Sequence, residues 1–113
     1  MQPDRAFLLD MLEAARLAVA YVRDVSREAF LQDTQLQDSV IHRVEILGEV
    51  ARRVSPRTRQ SLPEIPWAGM IAMRNFLIHQ YDAVDVEIVW DTVQQDLPLL
   101  IARIGPLFPQ KDS

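Results

Sequence analysis

Four polar side chains with chemically useful groups occur within eight residues of an otherwise apolar segment: Arg74, Asn75, His79 and Tyr81. Arginine supplies a permanent cation, asparagine an amide, histidine a group that titrates near neutral pH, and tyrosine a phenol. A cation can bind phosphate oxygens, and a histidine can accept or donate the protons that move during phosphodiester cleavage. This segment therefore holds the strongest candidates for chemistry in the chain.

The spacing of these residues limits how they can cooperate. On an ideal helix Arg74 and Tyr81 lie within about 20° of each other and Asn75 and His79 within about 40°, but Arg74 and His79 are about 140° apart. Either the helix ends near His79 and the backbone turns back, or a symmetric dimer brings two such helices together. We favour the dimer, because an arginine and a histidine on an apolar helix need polar partners.

A structural interpretation of the same residues stays open. Arg74 can pair with a carboxylate such as Glu45 or Glu49, and His79 can be a hydrogen-bonded core histidine. In that case the polar residues would stabilise a helical bundle without taking part in a reaction.

Composition indicates one globular domain over residues 1–113, with a flexible tail at about residues 106–113. Of its 113 residues 49% are hydrophobic and 25% charged, which is typical of a packed domain. The absence of cysteine excludes a disulfide framework, a zinc–thiolate site and a thiol nucleophile. No apolar run is long enough to span a bilayer, and residues 1–5 do not resemble a signal peptide, so we expect no membrane association and a cytoplasmic location.

Charge argues against indiscriminate coating of nucleic acid, because the formal net charge is −4. Any contact with nucleic acid must therefore be local. Arg52, Arg53, Arg57 and Arg59 form a basic cluster that could contact RNA or a protein partner, since the planar guanidinium group suits phosphate. A solvated helix end is an equally good interpretation of this cluster.

Apolar residues recur at helical spacing almost throughout, which predicts an all-α fold, an up-and-down bundle of four to five helices. Thr34 with Gln37 has the pattern of a capping box, Gly48 should allow close approach of another helix, and Pro98 should kink or divide the last helix. The predicted elements are helices over about 4–25, 34–54, 66–80 and 86–104, a short helical turn over 26–31 and a proline-rich connector over 55–66.

Other candidate residues favour ordinary structural roles. His42 and Glu45 have the spacing of half a di-metal site, but the chain has only two histidines, so we expect no metal and no cofactor. Trp67 and Trp90 are interpreted as core or interface residues rather than base-stacking platforms.

The chain resembles the HepT group of HEPN-domain proteins, the toxin partners of minimal nucleotidyltransferases. The resemblance covers about residues 5–105, and its motif Arg-x4-His-x-Tyr is present as Arg74, His79 and Tyr81. The other matching positions are Ile46-Leu47-Gly48-Glu49, Pro66-Trp67, Met73-Arg74-Asn75, Asp85, Val89-Trp90 and Asp96-Leu97-Pro98. The chain departs from the family pattern at Val50, Ala72 and Gln80, where Ala, Gly and Asp are frequent.

The resemblance implies an all-helical homodimer and a metal-independent RNA endonuclease toxin of a type VII-like toxin–antitoxin pair. It places the catalytic Arg74 and His79 at a cleft between protomers, with Asn75 and Tyr81 supporting them. It also implies a nucleotidyltransferase antitoxin that silences the toxin by transferring AMP to Tyr81. The alternative is a non-catalytic subunit that binds nucleotide or RNA and docks the nucleotidyltransferase, because similar folds need not share an activity.

Overall fold

The computed structural model describes residues 2–79 and 85–109, and for residues 2, 3 and 79 it describes the backbone alone. Every regular element in these residues is helical and no strand occurs among them, which confirms the all-α prediction. The number of helices in a bundle and the dimer remain predictions. The elements are α1 (Gln2–Tyr21), α2 (Arg27–Leu31), α3 (Thr34–Ala51), α4 (Pro56–Ser61), α5 (Trp67–His79), α6 (Val86–Asp91), a π-helical turn (Thr92–Asp96), α7 (Leu97–Ile104) and a 3-10 turn (Gly105–Leu107).

Helix α3 occupies the centre of the packing, with α1 and α5 both lying against it, and α7 packs on α1. The core is apolar, and Trp90 completes it by packing on Phe30 with ring centroids 5.2 Å apart. None of the helices in the described residues combines the length and the apolar character needed to cross a bilayer. The largest fully buried side chains are Phe30, Met11, Leu12, Leu47, Ile65, Leu77, Leu97, Leu100, Ile104, Val40, Val54 and Val89.

Helix α1 ends earlier than the apolar pattern predicts. The helix stops at Tyr21 rather than Val25, and Asp24 adopts a left-handed backbone conformation with φ 64°. Aspartate tolerates this conformation better than most residues, and a left-handed residue cannot continue a right-handed helix. Val22 nevertheless remains buried, so the apolar stripe continues past the helix.

The N-terminus of α3 is capped differently from the prediction. Asp33, not Thr34, is the N-cap, and its carboxylate accepts a hydrogen bond from the Leu36 backbone N–H at 3.0 Å. Gln37 does not return to the cap, because its side-chain amide donates to the Phe30 carbonyl at 3.0 Å. The predicted capping box is therefore wrong, because Asp33, one residue before Thr34, is an equally good N-cap.

The prediction that Pro98 divides the last helix is confirmed. Asp85 caps α6 as predicted, by accepting a hydrogen bond from the Glu87 N–H at 2.9 Å. Between α6 and α7 the backbone widens into the π-helical turn, which contains Gln94. In a regular α-helix the ring of Pro98 would collide with the carbonyl of Gln94, so the wider turn relieves this contact.

The predicted C-terminal tail lies partly within the described residues. Phe108 packs against the core, and the guanidinium group of Arg5 lies 4.6 Å from the centroid of its ring. Residues 110–113 lie outside the described residues.

A buried carboxylate joins the start of α1 to the start of α4, a contact that the sequence did not predict. Asp4 is 7% exposed and accepts hydrogen bonds from the Ser55 N–H (3.1 Å), the Ser55 hydroxyl (2.5 Å) and the Thr58 hydroxyl (2.6 Å). The hydrogen bond from the Ser55 hydroxyl, followed by that from Thr58, holds the Asp4 pKa below its ordinary value of 3.8, although burial opposes this shift. The carboxylate thus stabilises the N-terminal end of α4.

We expect Asp4→Asn to lower the melting temperature by several degrees at pH 7. Because folding lowers the Asp4 pKa, its stabilising effect is complete above the ordinary value and is lost as the pH falls through the folded-state pKa. The difference in melting temperature between wild type and variant should therefore shrink below about pH 4. Asp10→Asn, at an exposed position of the same helix, is the control. Equal effects of the two substitutions would contradict the role of Asp4.

Candidate active site

Helix α5 is held against α3 by one face. Its buried side chains are Trp67, Met70 and Leu77. The indole N–H of Trp67 also donates a hydrogen bond to the Leu62 carbonyl at 3.0 Å, so the predicted core position of this tryptophan is confirmed. These contacts set the rotation of α5 about its axis, and Arg74 consequently faces α3.

Gly48 allows α3 and α5 to approach closely, as the sequence predicted. A Cβ atom at Gly48 would overlap the Cβ of Arg74 and would lie 2.7 Å from the carbonyl oxygen of Met70. Only glycine fits this crossing without a shift of the backbone. The crossing places the base of the Arg74 side chain directly over Gly48, beside Glu49.

Arg74 is held by polar partners on two sides. Its Nη2 atom lies 2.9 Å from Oε1 of Glu49, and its Nη1 atom donates a hydrogen bond to Oδ1 of Asn75 at 3.0 Å. The side chains of Arg74 and Glu49 are only 22% and 29% exposed. Of the two carboxylates considered as partners, the structure selects Glu49. The ion pair fits the structural interpretation and equally fits a cation positioned for chemistry.

Glu49 contacts three arginines at once. Its Oε2 atom accepts hydrogen bonds from Arg52 at 3.3 Å and from Arg53 at 3.2 Å, while Oε1 faces Arg74. Oε1 is buried and receives no aligned hydrogen bond from the residues that the structure describes, so its contact with Arg74 is chiefly one of charge. Burial raises the pKa of Glu49, but the hydrogen bond from Arg52, the charges of Arg52 and Arg74 and the hydrogen bond from Arg53 outweigh it and hold the pKa below its ordinary value. Glu49 is therefore ionised at neutral pH.

The four arginines of the basic cluster have different environments. Arg52 and Arg53 pair with Glu49 and have exposed side chains. Arg57 is exposed and lines a surface cavity of about 490 Å³ together with Asp4. Arg59 instead donates hydrogen bonds to the carbonyl groups of Ala51, Arg52 and Val54 at 3.2, 2.9 and 3.0 Å.

Arg59 therefore caps the C-terminus of α3, and its donors are used within the fold. We expect Arg59→Ala to destabilise the protein by about 1–2 kcal/mol, since it leaves helix carbonyl groups without a charged partner. Arg57→Ala, two residues away and exposed, should change stability by less than about 0.5 kcal/mol. Urea denaturation of both variants measures the difference, and equal stabilities would show that the cap contributes little.

His79 is the final residue of α5, but its side chain lies outside the described part of the structure, as do all of Gln80 and Tyr81. Asn75 is one turn before His79 and is exposed. Because the backbone is helical from Arg74 to His79, these two positions are about 140° apart around one helix axis. Helix α5 ends at His79 and residues 80–84 lie outside the described residues, so both arrangements stay open.

The face of α5 that points away from α3 carries mostly small and apolar residues. Ala68, Ala72, Asn75 and Ile78 are exposed there, Ile78 to 36%, and Phe76 is half-buried beside them. Elsewhere among the described side chains, no three His, Asp or Glu residues are grouped as ligands for a metal.

Comparison with known proteins gives a family for the chain. The model of the HepT-like family, described as ribonuclease HepT-like, matches residues 11–106. The chain belongs to the HepT-like ribonuclease family. It is 40% identical over 101 residues to the "Probable ribonuclease HepT" of Thermococcus cleftensis, covering 89% of this chain and 92% of that protein.

Two further relatives carry ribonuclease names. The "Putative RNase MJ1380" of Methanocaldococcus jannaschii is 34% identical over 94 residues, covering 83% of this chain and 86% of the relative. The "Putative RNase TTE0752" of Caldanaerobacter subterraneus is 29% identical over 111 residues, covering 98% and 99% of the two chains. No solved structure matches the chain. This HepT-like protein therefore shares nearly its whole length with several proteins named as ribonucleases.

The sequence offered Glu49 as one of two partners for Arg74, but it did not show that three arginines share this carboxylate. Pairing with Arg52 and Arg53 follows from helical spacing, because residues three and four positions apart are neighbours on a helix. Pairing with Arg74 depends on the crossing of two helices, and only the packing at Gly48 brings these residues together.

Proposed function

We propose that this HepT-like protein is a metal-independent RNA endonuclease that acts as a homodimer in the cytoplasm. The observation that carries this proposal is the Arg74 side chain, partly buried and held by Glu49 and Asn75, in a chain of the HepT-like ribonuclease family. A guanidinium group held from two sides loses little freedom on binding a phosphate. Such a group can stabilise the charge of a transition state with little reorganisation.

The geometry of α5 supports a site shared between two protomers. Arg74 and His79 are about 140° apart on one continuous helix, so one copy of α5 does not direct both at the same phosphate. Pairing two copies of the outer face of α5 would bring the two His79 positions together and cover exposed Ala68, Ala72 and Ile78. The Arg74 guanidinium group extends to this face, because its Nη1 atom donates to Oδ1 of Asn75, which is exposed there.

The proposed reaction uses the RNA itself as the nucleophile. The ribose 2′-oxygen attacks the adjacent phosphorus as one His79 takes the proton of the 2′-hydroxyl group. The bond from phosphorus to the 5′-oxygen breaks, and the symmetry-related His79 gives a proton to that oxygen. Arg74 stabilises the added negative charge on the phosphorane-like transition state, and Asn75 holds Arg74. The products are a 2′,3′-cyclic phosphate and a free 5′-hydroxyl group.

The proposed regulation acts at Tyr81, through a nucleotidyltransferase antitoxin. The phenol oxygen of Tyr81 would attack the α-phosphorus of ATP, with loss of pyrophosphate and release of the phenolic proton. The attached AMP adds a negative phosphate to the segment that holds Arg74 and His79, and this group would compete with RNA for Arg74. Intact mass spectrometry should show the gain of one AMP after incubation with the enzyme and ATP, and Tyr81→Phe should remain unmodified.

The test of the proposed function is cleavage of tRNA and total RNA in EDTA by protein shown to be unmodified and dimeric. We expect fragments with 2′,3′-cyclic phosphate ends, and we expect no cleavage where the nucleotide at the cut site is 2′-deoxy. A folded, unmodified dimer that binds RNA without cleaving it would favour the alternative, a non-catalytic subunit that binds RNA or nucleotide and docks the nucleotidyltransferase.

A further inference from the structure

Three guanidinium groups surround one carboxylate at the crossing of α3 and α5. Arg52 and Arg53 lie 3.3 and 3.2 Å from one oxygen of Glu49, and Arg74 lies 2.9 Å from the other. The cluster therefore carries three positive charges and one negative charge. Its net charge of about +2 contrasts with the formal net charge of −4 of the whole chain.

Two of the three arginines are much more exposed than the third. Arg74 is 22% exposed, whereas the side chains of Arg52 and Arg53 are 54% and 60% exposed. Each guanidinium group has five N–H donors, and the contacts with Glu49 use one nitrogen of Arg52 and one of Arg53. Among the described residues, most donors of these two arginines therefore have no partner and can bind an anion. Arg59 does not add to this surface, because it caps α3.

We propose that Arg52 and Arg53 form a second phosphate-binding subsite, which holds the RNA strand one or two nucleotides from the phosphate bound by Arg74. Glu49 sets the spacing of the two subsites, since one carboxylate contacts the arginines of both. Its charge also keeps the three cations from repelling one another when RNA is absent. This inference rests on the proposed function and adds the path of the substrate across the end of α3.

The test is the salt dependence of binding to a fluorescent oligoribonucleotide whose nucleotide at the cut site is 2′-deoxy, measured by anisotropy. Each phosphate contact contributes about 0.7 to the slope of log K against log salt for a single strand. We expect Arg52→Ala/Arg53→Ala to reduce this slope by about 1.4 and to weaken binding about 10-fold or more at low salt. A merely structural role for these arginines would leave the slope unchanged.

Arg103→Ala is the matched control for Arg53→Ala. Arg103 is 46% exposed and pairs with Glu64 at 3.1 Å, so both substitutions remove an exposed arginine from a surface ion pair. Only Arg53→Ala should lower the slope. Glu49→Gln provides a test of opposite sign, because it removes the negative charge and should tighten RNA binding. The subsite would be overturned if the slope for Arg53→Ala equalled those for wild type and Arg103→Ala. It would also be overturned if Glu49→Gln did not bind RNA more tightly than wild type.

The binding assay also separates this inference from the proposed function. RNA binding that depends on Arg52 and Arg53, without cleavage of an all-ribose substrate, would refute the nuclease and retain the subsite. Cleavage with normal slopes in the Arg52→Ala/Arg53→Ala variant would refute the subsite and retain the nuclease. If the wild-type protein does not bind RNA at all, both the subsite and the proposed nuclease are refuted.

Discussion

RNA cleavage should be lost when either His79 or Arg74 is replaced by alanine. Proton transfer by a positioned histidine contributes about 10²–10⁴-fold to a rate, and a charge-stabilising donor about 10²–10³-fold. We therefore expect each substitution to lower the single-turnover rate in EDTA at least about 100-fold, since in the proposed reaction the two groups perform separate parts. The rate of fragment formation from one end-labelled RNA measures both effects.

The chain offers a matched control for the histidine. His42, its only other histidine, is exposed on α3, so His42→Ala should retain full activity. Circular dichroism and light scattering would establish that each variant is folded and dimeric. If His79→Ala cleaved RNA at the wild-type rate, His79 would be no more than a structural residue and the proposed mechanism would be refuted.

Gly48→Ala should both destabilise the fold and displace Arg74. The new Cβ would overlap the Cβ of Arg74 and lie 2.7 Å from the backbone oxygen of Met70, and neither is the free end of a flexible side chain. Helices α3 and α5 must therefore separate, at a cost of about 1–3 kcal/mol for an overpacked core. The better helix propensity of alanine, about 1 kcal/mol, offsets only part of this. We expect a net loss of up to about 2 kcal/mol in the free energy of unfolding.

The RNA cleavage rate of the Gly48→Ala variant should fall by more than its loss of folding free energy explains. The reason is that a 1 Å displacement of a catalytic group can lower a rate about 100-fold. Gly69→Ala is the control, since a Cβ at Gly69 would meet only Pro66, at an ordinary 3.9 Å. That substitution should stabilise α5 by about 0.5–1 kcal/mol. Urea denaturation gives the two free energies, and the same sign for both would contradict the close approach at Gly48.

Local sequence rules predicted much of the fold, because helix starts and interruptions depend on neighbouring residues. Asp85 caps α6, and the helix divides before Pro98, as expected. The same rules failed where two neighbouring residues can both cap a helix. They also failed where the residue that binds the end of a helix comes from another element. Asp33 replaced Thr34 as the cap of α3, and α3 ends at Ala51 rather than Val54, with Arg59 bound to its last carbonyl groups.

The candidate site was predictable in its residue types but not in its connections. The residue types of the segment identified Arg74 and Asn75, whose side chains the structure joins, and also His79 and Tyr81, whose side chains lie outside its described residues. The basic cluster, by contrast, was a single set of four arginines in the sequence. Packing divided it into a helix cap, a pair bound to Glu49 and an exposed arginine.

The sequence by itself determined that this protein is all-helical and that Gly48 marks a close helix crossing, and it predicted that the chemistry lies at residues 74–81. These properties follow from helical periodicity, the lack of a side chain in glycine and the intrinsic chemistry of the residues. Only the tertiary structure decided that Glu49 is the partner of Arg74 and that Asp4 stabilises α4. These contacts join residues 25 to 54 positions apart. Such pairs depend on the angle and rotation at which helices pack, which the whole core sets and no short segment encodes.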